Sequence, residues 1–437
     1  MKGLALEQIN GFRKFYEEDK AAKTANAAMA KTELADLAYI PMNAAKLGGD
    51  FSLELPTRGI TAQQKSGRCW LFAALNMLRE VAADNLGLKD FQLSQNYLSF
   101  YDKLEKSNNF LEMVIENAGE PLDSRMMHYI NFGIGDGGYW DMAADLVKKY
   151  GVVPQYIMPE SYQSNHTEKF RKLQNSILRR DAAELRKLIA EGRDPYPRKD
   201  EMMAEIYKAL CIVFGEPVTE FTYEYRDEEG DFHTIRGITP QEFYEKYIGL
   251  DLDNYIGVAN SPTAKTPLGD YYEFHYMGSM ADSNVHVINV TMDELQALVL
   301  KQLKDCEPVW FGCDAGAFGD RKMGIWDPDS FDYEGLIGGA KITMDKGEGL
   351  EYMESNATHA MLLIGVNFDE KGEPDRWKIE NSWGKEAGKD GYFVCSQKYF
   401  RNYVYEAIIN KKHLSPAQKE LLSKEPVVLK PWEGGVL

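Results

Sequence analysis

The chain has 437 residues, of which 44% are hydrophobic and 27% charged, the proportions of an ordinary globular protein rather than a disordered or fibrous one. Its formal net charge of −18 argues against a nucleic-acid partner, because binders of polyphosphate carry a basic face. The apolar runs fall short of the ~18 to 20 residues that a membrane span needs, and the opening "MKGLALEQIN" lacks the apolar core of a secretory signal, so a cytoplasmic protein without a membrane partner is expected.

Taken in chain order, residues 1 to 36, rich in Ala, Lys and Glu, read as helix ending before Tyr39-Ile40-Pro41, an arm rather than a core. From Cys69 to Leu86 the residues Leu71, Leu75, Leu78, Ala82 and Leu86 recur at helical spacing, and Gly87 is placed as a C-terminal stop. A second helix is expected from about Ser94 to Lys106. Residues 167 to 210 read as two charged amphipathic helices broken at Gly192 and the Asp194-Pro195-Tyr196-Pro197 stretch, followed by a hairpin turning at Glu228-Glu229-Gly230. Thr291 and Glu294 fit a capping box opening a helix to Lys304, and Val309 to Gly312 read as a strand. The apolar segments "AMLLIGVNF", "RWKIENSWG" and "GYFVCS" suit an antiparallel barrel or sheet, and Pro416 starts a short helix before an extended tail.

Five scattered cysteines without a C-x-x-C pair, and seven histidines without an H-x-x-x-H pattern, give no support to disulfides or to a zinc site. The stretch Asp327 to Asp332 faintly resembles a calcium loop, but it lacks the glycine at the sixth position and the glutamate at the twelfth. No metal or other cofactor is expected.

Cys69 is different in kind, because it stands at the first turn of a buried helix, where unpaired backbone N–H groups and the helix dipole favour a thiolate. His359 precedes the apolar strand "MLLIGV", and Asn381 follows another strand in Glu380-Asn381-Ser382-Trp383-Gly384. Together these residues supply a nucleophile, a base that later serves as acid, and an amide that orients the imidazole. Gln63, six residues before Cys69, can join the Cys69 backbone N–H as an oxyanion hole, with Gln64 as a possible substitute. The chemistry is acyl transfer.

These residues, with "QQKSGRCWLF", "GDGGYWDMAADLVKKYGVVP", "EPVWFGCD", "THAMLLIGV" and "WKIENSWG", resemble the papain-like cysteine peptidases, specifically the bleomycin hydrolase and aminopeptidase C family, from about residue 40 onward. The resemblance implies an α+β papain-like fold, with a helical lobe, an antiparallel β-barrel lobe, a large mainly helical insertion and arms at both ends. The corresponding division is 1–60, N-terminal helical arm; 61–155, helical lobe with the nucleophile helix; 156–285, mostly helical insertion with a hairpin; 286–410, β-barrel lobe with His359 and Asn381; and 411–437, C-terminal helix and tail reaching the active site. It further implies catalytic roles for Cys69, His359, Asn381 and Gln63, a substrate-backbone ledge at Gly137 and Gly138, and a Trp383 that shields the His359–Asn381 hydrogen bond.

Two departures stand out. Ser66 occupies the position where secreted papain-like enzymes carry a cysteine, in keeping with a reducing compartment. His359 lies some 290 residues after Cys69, against the ~130 to 150 of simple papain-like chains, and this excess is what the bleomycin hydrolase branch has.

The family also implies a ring of six subunits and a C-terminal tail lying in the cleft as a ruler, here ending at Leu437 after only five residues beyond Trp432. The expected function is a cysteine aminopeptidase of broad specificity acting on peptides, with bleomycin-type amides as candidate substrates. An endopeptidase or a dipeptide-releasing enzyme on the same residues, and a non-catalytic peptide-binding protein, are the alternatives.

Overall fold

The structure, a computed structural model, describes residues 1–433, so the expectation for Leu437 lies outside the described residues. Its centre is the helix Cys69–Leu86, almost every residue of which is buried as the periodicity predicts. Gly87 ends it in the left-handed conformation, φ 65°, that a glycine adopts without steric cost. This helix packs against the strand His359–Phe368, and that contact joins the two lobes of the papain-like α+β fold.

The sheet has twelve strands. From one edge it runs Val427–Leu429, Asp270–Phe274, Val285–Asn289, Tyr255–Ala259, Val404–Asn410, Val309–Cys313, His359–Phe368, Pro374–Glu380, Tyr392–Ser396, Ile325–Trp326 and Gly319–Asp320, with Leu53–Glu54 pairing beside the histidine strand. Most neighbours are antiparallel, and three pairings are parallel. His359 lies opposite Cys313 in register, and Leu362 opposite Glu380, which brings the end of one strand and the start of another to the same rim.

Three expectations are corrected. The N-terminal arm is two main helices, Leu6–Glu18 and Lys20–Met29, because the Asp19 carboxylate caps the second by accepting the Ala22 N–H at 2.9 Å. The helix beginning after Ser94 runs to Glu116, ten residues past Lys106. The polar Ser107 and Asn109 that suggested an end are buried, with Gln174 donating to the Ser107 hydroxyl and Asn109 donating to the Gly278 carbonyl. The segment 156–285 is less helical than expected: helices Glu168–Ala190 and Tyr196–Phe214 and the hairpin Phe221–Ile238 are present, but Tyr255–Ala259, Asp270–Phe274 and Val285–Asn289 join the main sheet. Tyr255–Ala259 is buried along its whole length, so no alternation marks it in the sequence.

Candidate active site

Cys69 is the first residue of its helix and is half-buried. The backbone N–H groups of Cys69, Trp70 and Ala360 point at its sulfur and favour the thiolate, but burial outweighs them and raises the thiol above its ordinary value. The sequence-based expectation of a lowered thiol pKa is therefore reversed: desolvation penalises a lone thiolate by more than the helix end stabilises it. The neighbouring charge does not help, since Arg68 is buried and forms a bidentate pair with Glu160 at 3.0 and 2.8 Å.

His359 opens its strand, and Asn381 follows directly after Pro374–Glu380. The His359 Nε2 and Asn381 Oδ1 are 2.9 Å apart, and the Ser382 N–H donates to the same oxygen at 2.7 Å. An amide oxygen can only accept, so Nε2 carries the proton and Nδ1 keeps its lone pair, the tautomer a general base requires. Burial pushes the imidazole down to about 4 against the opposing hydrogen bond of Asn381, and the charge of Arg321 adds to the depression. Trp383 stacks on the ring with centroids 4.8 Å apart, and the Arg321 guanidinium lies 4.8 Å from the Trp383 centroid.

Gln63 reaches this group through the chain segment that pairs with it. The Gln63 N–H donates to the Ser382 carbonyl at 2.8 Å, the Ser382 hydroxyl donates to Gln63 Oε1 at 2.7 Å, and Gln63 Nε2 donates to the Ser66 carbonyl at 2.6 Å. One amide hydrogen of Gln63 is thus engaged and the second remains for a ligand. Gln64 is exposed, with φ 54°, on the outer side of this turn.

The glycine loop lies against the nucleophile helix. A side chain at Gly138 would meet Trp70 Cε2 at 2.7 Å and Met142 Sδ at 2.8 Å, so the backbone approaches Trp70 as only glycine permits. At Gly137 a Cβ would meet nothing. Trp70 Nε1 donates to the Asp136 carbonyl at 2.8 Å, and Lys106 Nζ donates to the Gly137 carbonyl at 2.6 Å. Burial would raise Asp136, but Lys103, Thr167 and Lys106 hold it down at about 2.

Arg79, Glu380 and Ser382 were not singled out in the sequence. Arg79 is wholly buried on the nucleophile helix and donates to both oxygens of Glu380, at 2.9 and 3.0 Å, and Asn76 donates to one of them at 2.9 Å. This pair ties the helix of Cys69 to the residue preceding Asn381. Its signal was present: Arg79 interrupts the apolar stripe of Leu75, Ala82 and Leu86, where a solvated charge has no place.

A nucleophilic thiol at a helix start, facing a histidine and an amide on the rim of a sheet, defines a papain-like cysteine peptidase site. The chain belongs to the Peptidase C1-like family, whose model matches residues 3–434. It is 41% identical to aminopeptidase C of Listeria monocytogenes, over 98% of both chains, and 39% identical to aminopeptidase G of Lactobacillus delbrueckii, again over 98% of both. The crystal structure of PepW from Lactobacillus rhamnosis superposes with a TM-score of 0.96 at 39% identity, covering 99% of this chain and 98% of that one.

Proposed function

We propose that this chain is a cysteine aminopeptidase in which Cys69 is the nucleophile, His359 the base, Asn381 the orienting amide and Gln63 the side-chain donor of the oxyanion hole. The observation that carries the reading is the Nε2-protonated His359, fixed by an Asn381 oxygen that the Ser382 N–H also holds. The Cys69 proton passes to Nδ1 as sulfur attacks the scissile carbonyl. The oxyanion meets the Cys69 N–H and the free N–H of Gln63. His359 then protonates the leaving amine, and water hydrolyses the thioester with the same imidazole as base. Gly137 and Gly138 take the substrate backbone, and Trp383 keeps water from the His359–Asn381 bond.

The exopeptidase character is assigned to the tail. Val427–Leu429 extends the sheet beside Asp270–Phe274, and Leu429 belongs to a cluster against which Tyr139 packs. Trp432 meets Tyr129 with ring centroids 6.1 Å apart, and Arg125 lies 5.3 Å from its centroid. These contacts head the chain toward the glycine-loop end of the cleft, which supports a ruler ending at Leu437. Deleting residues 433–437 should admit N-blocked peptides to internal cleavage. A truncated enzyme that still demands a free amine would refute the ruler.

The same reading includes a cytoplasmic setting, broad specificity that extends to bleomycin-type amides, and a homohexamer. Helix Leu6–Glu18 has no buried residue and exposes Phe12 and Phe15, an apolar face suited to another copy of the chain. Light scattering on the purified protein tests the hexamer, and a panel of aminoacyl amides the specificity.

A further inference from the structure

Glu406 lies on Val404–Asn410, paired in register with Gly312 on one side and Ala259 on the other, and is 2% exposed. Burial pushes its carboxyl up to about 8, with the charge of Asp141 adding to the effect and no hydrogen bond among the described residues opposing it. Buried carboxyl groups almost always have partners, so one without any calls for a ligand.

The surroundings leave room for one. A Cβ on Gly312 would stand 3.5 Å from the Ala357 Cβ and 4.0 Å from Glu406 Oε2, and a Cβ on Gly257 would stand 2.8 Å from Glu406 Oε1. Two glycines therefore keep a niche open around the carboxyl. Ala357, two residues before His359, borders it on one side. Tyr139, directly after Gly138, borders it on the other, close enough that the Glu406 charge acts on its hydroxyl. Asp141 adds a second acidic group and accepts the His286 N–H at 2.7 Å, and the His286 ring faces Glu273. The niche thus lies between the glycine loop and the histidine strand, where the amino end of a bound peptide would run, and no cation of the described chain neutralises it.

We propose that Glu406 is a specificity-determining residue, receiving the α-ammonium group of the substrate's first residue directly or through one ordered water. This rests on the reading of Cys69 and His359 as the reacting pair. It adds a second device to the tail: the tail excludes chain beyond the first residue, and Glu406 attracts the charge that a free terminus carries. Arrival of an ammonium group would displace the Glu406 proton and replace the missing partner.

The test compares an alanyl fluorogenic amide with its des-amino twin, the propionyl amide, in the full-length wild type and in Glu406→Gln and Glu406→Asp. Glu406→Gln should raise KM for the alanyl amide at least tenfold with a much smaller change in kcat, and shrink its advantage over the propionyl amide. Glu406→Asp, which keeps the charge but withdraws it by a methylene, should fall between. Cys69 alkylation by iodoacetamide monitors the reacting pair separately. Unchanged KM and unchanged preference in either folded variant overturn the proposal while leaving the peptidase reading intact. Wild type that cleaves neither amide, with Cys69 labelling no faster than Cys306, overturns both. If Glu406→Gln does not fold, the result for Glu406→Asp alone decides.

Discussion

Glu380 and Glu406 are both buried carboxyl groups on strands of the same sheet, yet their surroundings differ sharply. Glu380 receives the Arg79 guanidinium and the Asn76 amide, and although burial still raises it to about 7, Arg79 opposes the shift. Glu406 receives no donor among the described residues, and burial with the nearby Asp141 takes it to about 8. A carboxylate that braces the fold is surrounded before any ligand arrives. One that waits for a charged ligand must be left incomplete, at a cost in stability of the free protein. Both flank the reacting pair, Glu380 next to Asn381 and Glu406 beside Ala357, so the contrast separates what holds the site from what selects its substrate.

The most severe way to probe this contrast removes the chemistry without touching either carboxyl. His359→Ala should lower kcat/KM by about a thousandfold or more while leaving thermal unfolding nearly unchanged, since catalytic groups acting as a unit carry effects of that size. Kinetics and calorimetry on the same sample check both halves. Next in size, Arg79→Met leaves Glu380 unpaired in the sheet, and breaking a buried pair in this way costs about 3 to 5 kcal/mol. Denaturant unfolding should show that loss. Equal stability of Arg79→Met and wild type would remove Glu380 from the bracing role.

A smaller effect concerns Glu406 and pH. Its folded pKa, about 8, lies above the ordinary 4.5, so the folded state holds a proton that the unfolded chain has released. That contribution to stability is fully present below about pH 4.5 and is lost as pH rises toward 8, by at most about 1.4 kcal/mol per pH unit. Glu406→Gln should flatten the fall of stability between pH 5 and 8. A wild-type slope retained in the variant would contradict the buried, unpartnered carboxyl. The mildest change is Trp383→Leu, which opens the His359–Asn381 hydrogen bond to water. Relief of burial should move the imidazole up from about 4 toward its ordinary value, shifting the acid limb of Cys69 alkylation to higher pH.

The two carboxyls also differ in how they could be read from sequence. Motif spacing brings Cys69, His359, Asn381 and Gln63 together because each sits at the start or end of a regular element, and such ends are marked by local pattern. The helix from Cys69, the capped helix from Met292 and the strand from His359 follow directly from periodicity. Arg79 could have been found as a charge inside an apolar stripe, whereas Glu406 looks like any polar residue in "VYEAIIN". Its isolation arises from Gly312 and Gly257 on two other strands, distant in sequence, and local pattern carries no register between them. The same limit explains the strands 255–289: a fully buried strand lacks the alternation that would reveal it.

The central claim, that Cys69 cleaves peptides from a free amino end, is met most directly by comparing one aminoacyl fluorogenic amide with its N-acetylated twin under reducing conditions, for wild type and Cys69→Ala. The account predicts that wild type cleaves the free-amine form and spares the acetylated one, and that Cys69→Ala cleaves neither. Hydrolysis that survives in Cys69→Ala, or equal cleavage of both forms by wild type, would contradict it.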